Sequence, residues 1–162
     1  ATESESLGIQ LAEALKPEIS RLDHFFPKPM TSSLSILFWV GLGSALGGMG
    51  RFGVTMWVQR QFPHEFPWGT WTVNVAGSFV IGMLAVLSNH EGHWMSHLHV
   101  QRFFIVGLLG GFTTFSSFSL QTLQLFQQGH AGMALINICA SLISCILFVW
   151  LGANFSAKFL VR

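Results

Sequence analysis

The sequence predicts an all-α integral membrane protein with four transmembrane helices, the third broken at mid-membrane. Three observations carry that expectation. Of 162 residues, 51% are hydrophobic and only 9% are charged, and the mean hydropathy is +0.53, a balance typical of membrane proteins. The charge is also segregated. Glu3, Glu5, Glu13, Glu18 and Asp23 are five of the seven acidic residues, and none follows Glu91. Finally, four apolar runs, 34–58 (interrupted by Arg51), 68–87, 103–126 and 131–155, each approach the ~20 residues that cross the hydrocarbon core. A formal net charge of +1 leaves no basic face for nucleic acid.

The elements follow in order. Residues 1–29 form a polar leader in which Leu7, Leu11 and Leu15 recur four apart until Pro17. That spacing predicts a short amphipathic helix, either a native surface extension or an added segment. Met30 is a natural start for a four-helix membrane domain over 30–162. The connection "QRQFPHEFPWG" holds two prolines and leads into Trp68 and Trp71, an interfacial aromatic anchor. "QQGHAG" is short enough to make the last two helices antiparallel neighbours. Cys139 and Cys145 lie about 240° apart around one helix, so they are read as small buried residues rather than a bridge. Outside the leader, Arg102, Lys158 and Arg162 stand on the terminus side against Arg51 and Arg60 on the other. Three against two gives no orientation preference; Lys16, Arg21 and Lys28 of the leader add to the terminus side.

No Asp, Glu or Lys lies inside any span, although ion-coupled transporters commonly keep a carboxylate there. The polar residues are neutral. Asn74 and Ser78 are i, i+4 on the second span, and Asn137, Ser141, Ser144 and Cys145 form a stripe on the fourth. Such stripes serve either helix packing or a site; Gly43 and Gly47 on the first span fit packing. The third span carries "GGFTTFSSF" at 110–118. Its glycines weaken a helix and its hydroxyls can bond the freed backbone, which predicts a break over 110–114. Carbonyls released there suit a small cation such as Na⁺. Phe115 and Phe118 share a face, and the positive edges of their rings can stabilise an anion without a fixed charge. Arg51 either snorkels to the headgroups or gathers anions at a pore mouth.

The strings "GLGSALGGMGRFG", "PWGTWTVNVAGSFVIGML" and "GLLGGFTTFSSFSLQ", in this order and followed by a small-residue fourth helix, resemble the Fluc/CrcB family of fluoride channels over about 34–152. The leader has no counterpart in that pattern. The resemblance implies a multi-pass protein of the cell inner (plasma) membrane and an antiparallel, dual-topology homodimer with two pores. It further implies passive export of fluoride, no enzymatic activity, and one structural Na⁺ at the two-fold axis held by the carbonyls of Gly110 and Thr113. By the same resemblance Asn74, Phe115, Phe118, Ser116 and Ser117 line the pore and Arg51 its vestibule, with Asn137 and Ser141 as the fourth-helix partners. Many members carry Glu where this chain has Gln121, which removes a charge that repels anions.

The rival readings are a small multidrug-type exporter, which needs an intramembrane carboxylate, and a small cation channel filtering through the 110–114 carbonyls. A third makes the chain a packing subunit of a larger complex. His90, His93, His97 and His99 cluster in the second connection, His93 and His97 at helical spacing. They are read as solvated, with metal binding or a local pH response as the alternatives.

Overall fold

A computed structural model of the chain describes residues 31–62, 65–90 and 93–160. It divides into two units, Ala1–Ser35 and Ile36–Arg162; the predicted leader helix and Met30 lie outside the described residues. The described backbone is helical, with no strand among the described residues. Helix α1 is Thr31–Gln61 and α2 is Trp68–Ser88. A 3₁₀ turn, Trp94–Ser96, leads into α3, Leu98–Gln101. A π-helical segment, Arg102–Leu109, continues into α4, Gly110–Phe112. After two extended residues come α5, Phe115–Gln127, and α6, Ala131–Phe159.

Among the described residues three stretches are long and apolar enough to cross a membrane: Trp68–Ser88, Leu98–Gln127 and Ala131–Phe159. Helix α1 is longer than any of them, yet its six glycines and two arginines dilute its apolar character.

Close helix contacts rest on missing side chains. A Cβ at Gly82 of α2 would strike the Val149 carbonyl of α6, and one at Gly152 would strike the Phe79 carbonyl. Helix α1 meets the third span in the same way, where a Cβ on Gly111 would sit 2.6 Å from the Ser44 carbonyl and one on Gly107 2.8 Å from that of Val40. Where hydrophobicity gives helices no reason to associate in lipid, such close approach supplies the packing attraction. The turn between α5 and α6 is closed by Gly129 at φ 81°. Its N–H donates to the Phe126 carbonyl at 3.1 Å, and that of His130 to Leu125 at 2.9 Å. This pairing ends helices on a left-handed glycine.

Three expectations change. The predicted break over 110–114 is shorter, because Gly110 to Phe112 remain helical and only Thr113 and Thr114 are extended. Cys139 is exposed and Cys145 half-buried, both free; Cys139 lies on an apolar face of α6 that no other helix covers among the described residues. His93 and His97 flank the 3₁₀ turn instead of sharing a helix face. His93 Nδ1 accepts from the Met95 N–H at 3.2 Å, so its imidazole caps that turn. No group of three metal-ligating side chains occurs among the described residues.

Candidate functional site

The break sits near the midpoint of Leu98–Gln127. Thr113 has ψ 157° and Thr114 φ −153°, ψ 113°, extended geometry that any residue adopts. What holds it open is Asn74 of α2. The Thr114 N–H donates to Asn74 Oδ1 at 2.7 Å, and Asn74 Nδ2 donates back to the Thr114 carbonyl at 3.1 Å. One side-chain amide therefore pairs with one backbone residue on both edges. The Thr114 hydroxyl accepts from the Ser117 N–H at 3.1 Å, capping α5. It also donates to Ser117 Oγ at 3.1 Å and lies 3.2 Å from Ser116 Oγ.

These bonds have a consequence for the backbone. In a continuous helix the Thr114 N–H would close on the Gly110 carbonyl and that of Ser117 on Thr113. The first goes to Asn74 and the second to the Thr114 hydroxyl. The carbonyls of Gly110 and Thr113 are thereby released. They are neutral oxygen donors of the type that small hard cations accept, so the residues fit such an ion.

Beside the break lies an open groove of about 310 Å³. Asn74, Gly77 and Ser78 line it from α2, Thr113, Thr114, Phe115 and Phe118 from the third span, and Ser141, Leu142, Cys145 and Ile146 from α6. The two polar stripes seen in the sequence thus border one space. The Phe115 and Phe118 rings are 5.3 Å apart with planes at 46°. Phe118 is 8% exposed and Phe115 73%, so the Phe115 ring is a large exposed apolar surface.

Behind the groove runs a buried polar chain. Ser141 Oγ donates to Asn137 Oδ1 at 3.3 Å, Asn137 Nδ2 to Thr122 Oγ1 at 2.8 Å, and the Thr122 hydroxyl to the Phe118 carbonyl at 2.8 Å. It ties α6 to α5 at the residue whose ring lines the groove. Thr122 was not singled out in the sequence, although its place four residues after Phe118 is the spacing at which a hydroxyl reaches back to that carbonyl.

Of the residues singled out in the sequence, Asn74, Thr113, Phe115, Phe118 and Ser141 border the groove, and Asn137 stands directly behind Ser141. Gly110 stays helical and contributes a released carbonyl just before the break. Ser116 and Ser117 gather around the Thr114 hydroxyl, away from the groove lining. Gln121 lines a separate cup of about 180 Å³, and Arg51 on α1 is half-buried and borders neither space.

A broken helix with released carbonyls, flanked by an uncharged polar groove between long apolar helices, defines a multi-pass membrane protein. A family profile described as "CrcB-like protein, Camphor Resistance (CrcB)" matches residues 38–153, and the chain belongs to that family. Among curated relatives, a "Fluoride-specific ion channel FluC" of Opitutus terrae is 47% identical over 119 residues, covering 74% of this chain and 90% of its own length. One from Methylocella silvestris is 51% identical over 114 residues, 70% of this chain and 87% of the relative. Another, from Rhodospirillum rubrum, is 42% identical over 114 residues, 70% and 88%.

Proposed function

We propose that the chain is a fluoride-specific channel of the cell membrane, passively conducting fluoride through pores built from two antiparallel copies of a four-span subunit. The observation that carries the reading is the likeness to fluoride-specific channels, with a family profile that spans the break and the groove. The architecture supports it. Fluoride is small and strongly hydrated, so a site for it must replace water with donors and positive ring edges. The Phe115 and Phe118 edges and the Ser78 hydroxyl border such a space without a charge that would trap the ion, while the Ser141 hydroxyl donates to Asn137 behind it. Phe115, open in one subunit, is available to a second copy.

Asn74 acts through the backbone in this reading, since both ends of its amide hold Thr114. The carbonyls of Gly110 and Thr113 are the oxygens that hold Na⁺, and the two-fold partner doubles their number. Na⁺ supplies a fixed central positive charge that binds the two broken helices. Ser116 and Ser117 stabilise the start of α5, Asn137 and Ser141 anchor α6, and Arg51 adds positive potential on α1. A multidrug-type exporter is disfavoured by the absence of a carboxylate from all four predicted spans. The released carbonyls alone would also suit a cation conduit, which is the second reading.

Purified protein reconstituted into liposomes decides between them. The expected result is fluoride efflux at an ion-selective electrode without matching chloride efflux, and current that persists when Na⁺ is not the permeant ion. Phe118→Ile suppresses that flux while dimers persist. Cation-selective current, or a Phe118→Ile protein that conducts normally, would sink the proposal.

A further inference from the structure

The cup that holds Gln121 lies one turn beyond the groove. Phe118, Gln121 and Leu125 are spaced i, i+3, i+7 and share one face of α5. Phe118 borders the groove, and the other two border the cup. Along the helix axis Gln121 is about 4.5 Å from Phe118. Four glutamines line the cup: Gln59 from the end of α1, Gln121 and Gln124 from α5, and Gln128 just after it. The amide oxygen of Gln121 is buried and makes no hydrogen bond. A buried amide left unsatisfied marks a place where a polar occupant belongs. The fifth polar residue there is Glu65, from the connection between α1 and α2. It is the only carboxylate among the described residues. Its Oε2 is 3.4 Å from His130 Nδ1 at the start of α6, at ion-pair distance without hydrogen-bond geometry.

We propose that Glu65 is the residue that limits anion passage at this end of the conduit. The Gln121 amide, turned with an N–H outward, receives a small anion leaving the Phe118 side of the groove, and the Glu65 carboxylate opposes its arrival. Fixed charge beside a path changes the local anion concentration, and it does so only where salt leaves it unscreened. Gln121 contacts the anion in this reading, and Glu65 supplies the field. The inference rests on the fluoride-channel reading.

The test is a charge series in the full chain, with fluoride efflux from liposomes read at one fixed pH and at low and high salt. Glu65 is 55% exposed on a connection, so its substitution leaves the packed helices intact. A unit charge about 8 Å from the ion, in water, changes its local concentration roughly twofold. Glu65→Gln is therefore expected to raise the low-salt rate about twofold and Glu65→Lys about fivefold. Glu65→Asp keeps the wild-type rate. All four proteins converge near 1 M salt, where the screening length is about 3 Å. Equal rates at low salt would overturn the assignment, as would differences that persist unchanged at high salt. Wild-type protein that carries no fluoride would instead remove the channel reading on which the assignment depends.

Discussion

The two halves of the third span are held by different physics. The half before the break, the π-helical segment and α4, is positioned by contact with α1, where backbone meets backbone because Gly43, Gly47, Gly107 and Gly111 carry no side chain. The half after it, α5, is positioned by hydrogen bonds, with Thr114 capping its start and Thr122 joining it to Asn137 of α6. The break falls where one regime gives way to the other. Steric packing is unforgiving of added volume, whereas a hydrogen-bond network loses its contributions one at a time. Substitutions on the two sides should therefore differ in kind as well as in size.

The largest effect is expected on the packed side. Gly111→Val places a branched side chain where even a Cβ lies 2.6 Å from the Ser44 carbonyl and 3.2 Å from the Gly48 nitrogen. Neither is the end of a flexible chain, so α1 must shift. A cost of about 3 kcal/mol or more is expected, read as a lowered Tm or loss of folded protein in detergent. Gly48→Ala is the matched control, since a Cβ there meets nothing within 4 Å. Similar losses for both would show that the steric argument for this half is wrong.

At the junction, Asn74→Leu removes both amide bonds to Thr114 and leaves its N–H without an acceptor. The expected loss is about 2 kcal/mol, roughly 1 kcal/mol for each of the two amide bonds. The released carbonyl of Gly110 should then regain a helical partner, because the Thr114 N–H is free to return to it. Fluoride flux should fall and Na⁺-dependent stabilisation of the protein should disappear with it. A variant that kept the Na⁺ dependence would show that the break holds its shape without Asn74.

The helical character and three of the spans were legible in the sequence because apolar length is a strong signal and the intervening turns are short. Gln128, Gly129 and His130 form the turn that "QQGHAG" predicts, with the positive φ on the glycine. The position of the break was only partly legible. Gly110 and Gly111 look like its cause, yet both stay helical, and the break is made by Thr114 with a partner 40 residues away. Propensity reports what a residue does locally, and here a tertiary hydrogen bond overrides it. Asn74 was visible as a polar residue in an apolar span, but nothing local tells whether its amide meets an ion or a backbone. The cup around Gln121 was invisible for the same reason, since Glu65 reaches it from a loop.

The smallest effect is expected deepest in the bonded half, and it tests whether that half fails by increments. Thr122→Val keeps the volume and branching of the side chain while deleting one donor and one acceptor. The bond to the Phe118 carbonyl is lost, and Asn137 Nδ2 loses its acceptor while Ser141 still donates to Asn137 Oδ1. Since α5 keeps its cap at Thr114, only one of its two anchors is cut. A loss of about 1 kcal/mol is expected, measured as a small drop in Tm. The Phe118 ring then turns with less restraint, so fluoride flux should change more than stability does. Thr122→Ser, which restores the hydroxyl, should recover the flux. A Thr122→Val protein as unstable as Gly111→Val would show that the two halves are held in the same way after all.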